Sequence, residues 1–153
     1  MSTNNSSPDL TQRPPRSPRV KLGGYVMLPR ILDKGRASLA GKLGEYHFAG
    51  KGMDRHFFNF VGLNHEALTT ELAGGVGDWE ILAWIQANAK TPRQPWEVAA
   101  WSDYHLRRSP DSDHETLTEF AGEVKKFNAT REDINTWFDL MDLDDHCTFG
   151  GKA

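Results

Sequence analysis

Between residues 28 and 46 the chain reads LPRILDKGRASLAGKLGEY, and Leu28, Ile31, Leu32, Gly35 and Leu39 recur at spacings of three and four. That period predicts a helix with one buried face. The other side carries Arg30, Asp33 and Lys34, with Arg36 on its border. Arg30 and Lys34, one turn apart, repel each other mildly, and Asp33 partly offsets this through Arg36. Something acidic, from the chain or from a ligand, is expected to face the cluster.

The same reading yields further helices. MDRHFFNFVG, residues 53–62, reads as a short helix with Phe57, Phe58, Phe60 and Val61 mostly inward. Asn64 suits an N-cap for HEALTTELA, which Gly74 stops. Asp78 is expected to cap a helix over 79–89, striped by Ile81, Trp84 and Ile85. Pro95 fits the first turn of a helix through Trp101 to Leu106 that ends before Pro110. A segment over 114–127 places Leu117, Phe120, Ala121 and Val124 at helical spacing. Thr130 and Asp133 form a variant capping box for a last helix faced by Ile134, Trp137, Phe138 and Met141. Residues 45–48 offer a short extended piece before the glycine-bearing turn at 49–52. With no internal repeat and no long alternating run, the expected fold is all-α or nearly so, a single orthogonal bundle of six or seven helices.

Ahead of these helices, residues 1–8 are rich in Ser and Asn and read as a disordered tail, leaving 9–153 as one helical domain. Residues 9–24 form its extended arm. There Pro14, Pro15 and Pro18 alternate with Arg13, Arg16, Arg19 and Lys21. Gly23 and Gly24 give a flexible entry to the first long helix, whose first turn accommodates Pro29.

Composition narrows the setting. A chain of 153 residues buries about 68–70% of its unfolded surface, enough for a core without staples. Its single cysteine, Cys147, excludes an intrachain disulfide and fits a reducing compartment. No apolar run approaches the roughly 18 residues of a membrane span, and no signal-type apolar stretch opens the chain, so a soluble cytoplasmic protein is expected. Net charge is −3 but unevenly spread. Residues 1–51 carry nine Lys and Arg against three acids, whereas 109–153 carry four against eleven. Such a chain can pair its own ends, or offer a basic patch to an anion.

With these residues placed, the sequence resembles the bacterial family catalogued as domain of unknown function 5069. The resemblance runs from Asp9-Leu10-Thr11 through Arg13, Pro15 to Arg19 and Leu22-Gly23-Gly24 to Arg30, Leu32-Asp33-Lys34 and Arg36-Ala37. It resumes at Gly44-Glu45-Tyr46, Glu80-Ile81, Trp84-Ile85, Trp137 to Leu140 and Asp142-Leu143. It implies a small single intracellular domain and carries over no activity and no catalytic residues.

Candidate chemistry is limited. Gly41 follows Gly35 by six positions where a Walker A loop has five, and Leu43 replaces the magnesium-binding hydroxyl. Gly75 and Gly77 begin G-x-G, but Glu80 breaks the dinucleotide pattern. Asp139, Asp142, Asp144 and Asp145 crowd what should be the end of the last helix, against its dipole. A magnesium or calcium ion is a weak candidate at Asp142, Asp144 and Asp145, which lack an EF-hand's glycine and distal glutamate. Ion pairs to the arm and to Arg30, Lys34 and Arg36 are preferred, the arm clamping first helix to last. His47, His56 and His65 recur every nine residues, and no histidine pair has helical metal spacing. The arm could track phosphates, but a pI near 6.0 argues against a nucleic-acid binder. The five tryptophans should mostly fill the core, each indole N–H finding an acceptor.

The leading expectation is a binding or interaction module whose charged groove comprises Arg30, Asp33, Lys34, Arg36, Glu45, Tyr46 and Asp139. It would take an anionic small molecule or an acidic partner surface, with no cofactor and no membrane contact. The alternative is an enzyme in the same groove, with Tyr46 or His47 as acid or base and Asp139 or Asp142 orienting a cation or base.

Overall fold

A computed structural model describes residues 7–50, 52–110 and 114–153. The tail expected over 1–8 thus lies outside the described residues up to position 6, as does Lys51 of the turn at 49–52. Pro8 is buried and Leu10 is fixed by its N–H donating to the Lys42 carbonyl at 2.9 Å.

Among the described residues a small hairpin, β1 (Lys21–Leu22) and β2 (Tyr25–Val26), precedes seven helices. These are α1 (Leu28–Leu39), α2 (Asp54–Val61), α3 (His65–Ala73), α4 (Asp78–Asn88), α5 (Pro95–Arg107), α6 (His114–Phe127) and α7 (Trp137–Thr148). The fold is therefore a predominantly helical bundle. Its main core joins β2 and α1 to α2, α3, α4, α5 and α7, with Val26, Leu28, Ile31, Leu32, Phe57, Leu68, Ile81, Ile85 and Phe138 at most 1% exposed. A separate small core, Phe120, Val124 and Leu140, holds α6 on α7.

The glycine pair at the arm's end makes a tight turn rather than a loose entry. Leu22 pairs antiparallel with Tyr25 across Gly23 and Gly24, whose φ values of 58° and 83° suit a hairpin turn that side chains disfavour. The turn is wedged between α4 and α5, since a Cβ on Gly23 would lie 2.6 Å from Leu82 and one on Gly24 3.2 Å from Val98. Buried Ser102 on α5 pins it, donating to the Gly24 carbonyl at 2.6 Å and accepting from the Val26 N–H at 3.1 Å. Met27, in the left-handed region at φ 68° and 1% exposed, then turns the chain into α1, where Pro29 occupies the first turn.

Several local expectations are corrected. Leu39 is 46% exposed, while Arg30, Lys34 and Arg36 are 5%, 7% and 8% exposed, so α1 is buried on its charged side as well. Asn64 caps α3 as expected, accepting from Glu66 N–H at 2.7 Å. Asp78 does not cap α4: Gly77 is the N-cap and Asp78 the first helical residue. α7 starts later than the apolar pattern suggests, because the reciprocal capping box is Thr136 with Asp139, not Thr130 with Asp133. Residues 45–48 form no strand. On α6, Leu117 is 43% exposed, leaving Phe120 and Val124 to the core. Trp79 and Trp96 are 74% and 72% exposed, and the buried Trp137 Nε1–H has no acceptor among the described residues.

Ser102→Ala leaves the buried Val26 N–H unpaired and takes the hydroxyl from the part-buried Gly24 carbonyl, so it should lower unfolding free energy by about 1–3 kcal/mol. Urea denaturation of the purified variant checks this.

Candidate functional site

The charged side of α1 is held by carboxylates that arrive from other helices. Arg30 makes a two-pronged contact with Asp145 of α7, at 2.6 and 3.1 Å, and Tyr46 donates its hydroxyl to the same carboxylate at 2.9 Å. The Arg30 guanidinium also lies 5.6 Å from the Tyr46 ring centre. One turn on, the Lys34 ammonium reaches both oxygens of the Asp54 carboxylate on α2, Oδ1 at 2.8 Å and Oδ2 at 2.7 Å, and Oδ2 also accepts the Ala49 N–H at 3.0 Å. Burial pulls the Lys34 ammonium below its usual range against the opposing pull of Asp54. Arg36 meets Asp78 of α4 at 2.7 Å and the Val76 carbonyl at 3.1 Å. These pairs explain why the cations can be buried: each gains a carboxylate and oriented hydrogen bonds that replace water.

The arm extends the network. Arg16 grips Asp33 through its backbone N–H, its Nε and its Nη2, and reaches Asp78 at 2.9 Å with Nη1. Asp33 therefore serves Arg16 rather than Arg36. Burial raises the Asp78 carboxyl, but Arg16 and Arg36 together outweigh it and hold it below the usual range. Arg19 bonds both Asp139 and Asp142, and the Ser17 hydroxyl donates to Asp142 at 2.8 Å. The arm thus joins α1 to α7.

These placements revise the electrostatics of the acidic run. Asp139 lies in the first turn of α7, where the helix dipole favours a negative charge. Partial burial raises its carboxyl, but N–H groups of Asn135 and Thr136 outweigh that and lower it. Asp142 and Asp145 are committed to Arg19 and Arg30, and exposed Asp144 accepts the Thr148 hydroxyl. Among the described residues no three His, Cys, Asp or Glu side chains converge as a metal site would require.

The seven groove residues accordingly fall into separate places. Arg30 and Tyr46 meet at Asp145; Asp33 and Arg36 meet through Arg16 and Asp78; Lys34 is sealed against Asp54; Asp139 belongs to the arm's contact with α7. Glu45 is exposed and lines a shallow cavity of about 390 Å³ with Tyr46, Leu10 and Phe149. Burial and the nearby Asp145 push the Tyr46 hydroxyl well up, so at neutral pH it is a donor and not a base. What remains open is a different concavity. A cavity of about 390 Å³ lies between the arm and α1, lined by Pro8, Arg13, Pro14, Arg16, Asp33, Arg36 and Asp78. Three guanidinium groups meet two carboxylates there, and Arg13 is exposed with no ion pair among the described residues.

Residues 12–147 match the family model described as domain of unknown function (DUF5069). The chain belongs to that family. Arg16, Arg30, Lys34 and Arg36 with their carboxylates, and the Gly23-Gly24 turn, all lie inside the matched span, as does Arg13. No curated protein matches the chain. Among the described residues no helix is long and apolar enough to cross a membrane.

Sequence reasoning missed Asp54 and Asp78 as partners. Their one signal was position, since each is the first residue of its helix. It also missed a histidine cluster. His56 and His105 lie with ring centres 5.3 Å apart, His105 sits 4.5 Å from the Trp101 ring, and the Arg108 guanidinium is 3.2 Å from His56 Nε2. His105 is 3% exposed and its Nδ1 has no partner among the described residues. Burial, then the proximity of His56 and Arg108, lowers its pKa from 6.5 to about 4.

Two outcomes follow from these contacts. Arg30→Ala strands a buried carboxylate and should cost roughly 3–5 kcal/mol of stability, whereas pairing it with Asp145→Leu should cost less than the sum of the two single variants; urea midpoints of the four proteins decide. His105 is neutral when folded but protonates near 6.5 when unfolded, so its contribution is full above that pH and is lost as pH falls through about 4. The melting temperature should therefore decline between pH 6.5 and 4.5, and this decline should flatten in His105→Phe. Losses from Asp78 and Asp139 belong below about 3.8, where their unfolded counterparts protonate.

Proposed function

We propose that the protein is a small cytoplasmic module that binds an anionic small molecule of the phosphate or carboxylate class in the cavity between the arm and α1. The observation that carries this reading is the convergence of Arg13, Arg16 and Arg36 on one cavity that holds only Asp33 and Asp78 as counter-charges. Among the lining side chains one positive charge is left over, that of Arg13, with the Asp9 carboxylate, itself bonded to Thr11, within electrostatic reach of it. Arg16 and Arg36 are already fixed by their aspartates, so little side-chain freedom is lost when an anion binds, and Arg13 supplies the uncommitted donors. Arg30 and Lys34 act differently: their buried pairs hold α1 in place and thereby shape the cavity wall. The cytoplasmic setting is supported by the single cysteine.

Thermal shift in inorganic phosphate tests this, because a ligand of the native state raises the melting temperature. The wild type should show a saturable rise. Arg13→Ala, an exposed and unpaired position, should melt like the wild type without phosphate, yet bind roughly ten- to a hundredfold more weakly. Lys42→Ala, an exposed cation outside the cavity, serves as the control. No phosphate response, or an equal response in Arg13→Ala, would overturn the assignment.

A further inference from the structure

The Gly23-Gly24 turn, the loop before α5 and the first turn of α5 enclose a cavity of about 460 Å³ that shares no lining residue with the arginine cavity. Its size is in the range of small-molecule sites, about 300–1,000 Å³. We propose that it binds a small aromatic carboxylate, independently of the anion site. The surface offered to a ligand is mainly apolar: Pro92, Pro95, Val98 and Ala99 form one side, and the glycine turn, without side chains, leaves backbone open to close approach. This suits a flat apolar body. The rim is cationic, with Lys21 and Arg93 lining it and no carboxylate among the lining residues.

The two cations are in different states. Arg93 is fixed, donating to the Phe60 carbonyl and to Glu97, both at 3.1 Å, with its guanidinium 4.1 Å from the Phe60 ring centre. Glu97 is engaged by Arg93 and by the Gln94 N–H, so it does not oppose an incoming anion as a free carboxylate would. The Lys21 ammonium, by contrast, makes no ion pair among the described residues, and its position on β1 places it at the cavity. The first turn of the 13-residue helix α5 adds its positive end to the same wall.

A second polar group lines the cavity. Tyr25 is 6% exposed, and its ring is held edge-on by Phe57, Phe60 and Trp101 at centre distances of 5.3, 6.4 and 6.0 Å. It lines the cavity, yet its hydroxyl makes no hydrogen bond among the described residues. A carboxylate held between Lys21 and Arg93 would accept its hydrogen, with the ligand's ring lying over the proline and alanine side. The cavity walls are preset rather than formed on binding. Ser102 anchors the hairpin, the Thr91 N–H donates to the Val61 carbonyl at 3.1 Å, and Gln94 and Glu97 cap α5 reciprocally.

The test is two-dimensional amide NMR of the full chain titrated with benzoate, with benzamide as the uncharged analogue and inorganic phosphate as the bare anion. Benzoate should shift the Gly23, Gly24 and Ala99 amides saturably, and benzamide should bind about tenfold more weakly for want of the charge. Phosphate should leave these amides unmoved. Lys21→Ala should weaken benzoate about tenfold, and Ala99→Leu, which fills the cavity from an exposed and helix-tolerant position, should abolish binding. Tyr25→Phe, which removes only the hydroxyl, should weaken it by a similar factor. If Tyr25→Phe misfolds, the two surface variants still decide the matter. No benzoate shift at the glycine turn, or unchanged affinity in Ala99→Leu or Lys21→Ala, would overturn the site; unchanged affinity in Tyr25→Phe alone would overturn the role given to the hydroxyl. Shifts confined to Arg13 and Asp78 would show benzoate acting as a generic anion, and would overturn this proposal while supporting the other cavity.

Discussion

Burying three cations along one helix constrains everything packed around it. Arg30, Lys34 and Arg36 leave water together, and an unpaired buried charge costs several kcal/mol, so three carboxylates must be delivered to α1 at set heights. They come from Asp145, Asp54 and Asp78, on three different helices. The bundle is thus organised by charge as well as by its apolar core. Gly35 lies between two of these cations and faces α3, where an added Cβ would sit 2.6 Å from Leu72. One helix therefore accepts carboxylates on some sides and a close apolar neighbour on another.

The arm acts as a second layer of the same system. It contributes Arg16 to Asp33 of α1 and Asp78 of α4, and Arg19 to two aspartates of α7. Asp33 and Asp78 balance Arg16 and Arg36, so among the lining side chains the excess positive charge where the arm crosses α1 is that of Arg13. The candidate anion cavity arises at that excess. At the hairpin the arrangement differs: there the packing is apolar and aromatic, and the uncommitted polar groups, Lys21 and the Tyr25 hydroxyl, face a largely apolar concavity. The two cavities therefore favour different chemistry, a compact anion at one and an anion with an apolar body at the other.

Helix existence was legible in the apolar spacing, and Asn64, Pro29 and Pro95 marked starts correctly because capping and proline geometry are local. Where local signals competed, the tertiary contact won. Asp78 has the chemistry of a cap, but two arginines claim its carboxylate, and Gly77 takes the N-cap position. Thr130 and Asp133 mimic a capping box, yet Asp133 binds Arg131 and the reciprocal box forms six residues on. Exposed Trp79 and Trp96 show the limit of assigning burial by residue type, since a large apolar side chain on the outer face of a helix has nowhere to turn.

The sequence by itself determined the helical class, most helix positions and the family, because periodicity, caps and turn residues act within a few positions of each other. It also pointed to a charged cluster on the first long helix and to an acidic partner for it. Only the tertiary structure decided which carboxylate each cation receives, and hence that Arg30 and Lys34 are sealed while Arg13, Lys21 and the Tyr25 hydroxyl remain available to a ligand. Those assignments rest on contacts such as Arg30 with Asp145, which are 115 positions apart in the chain. Any of the chain's 21 acidic residues satisfies the same charge rule, and the packing of the helices selects among them.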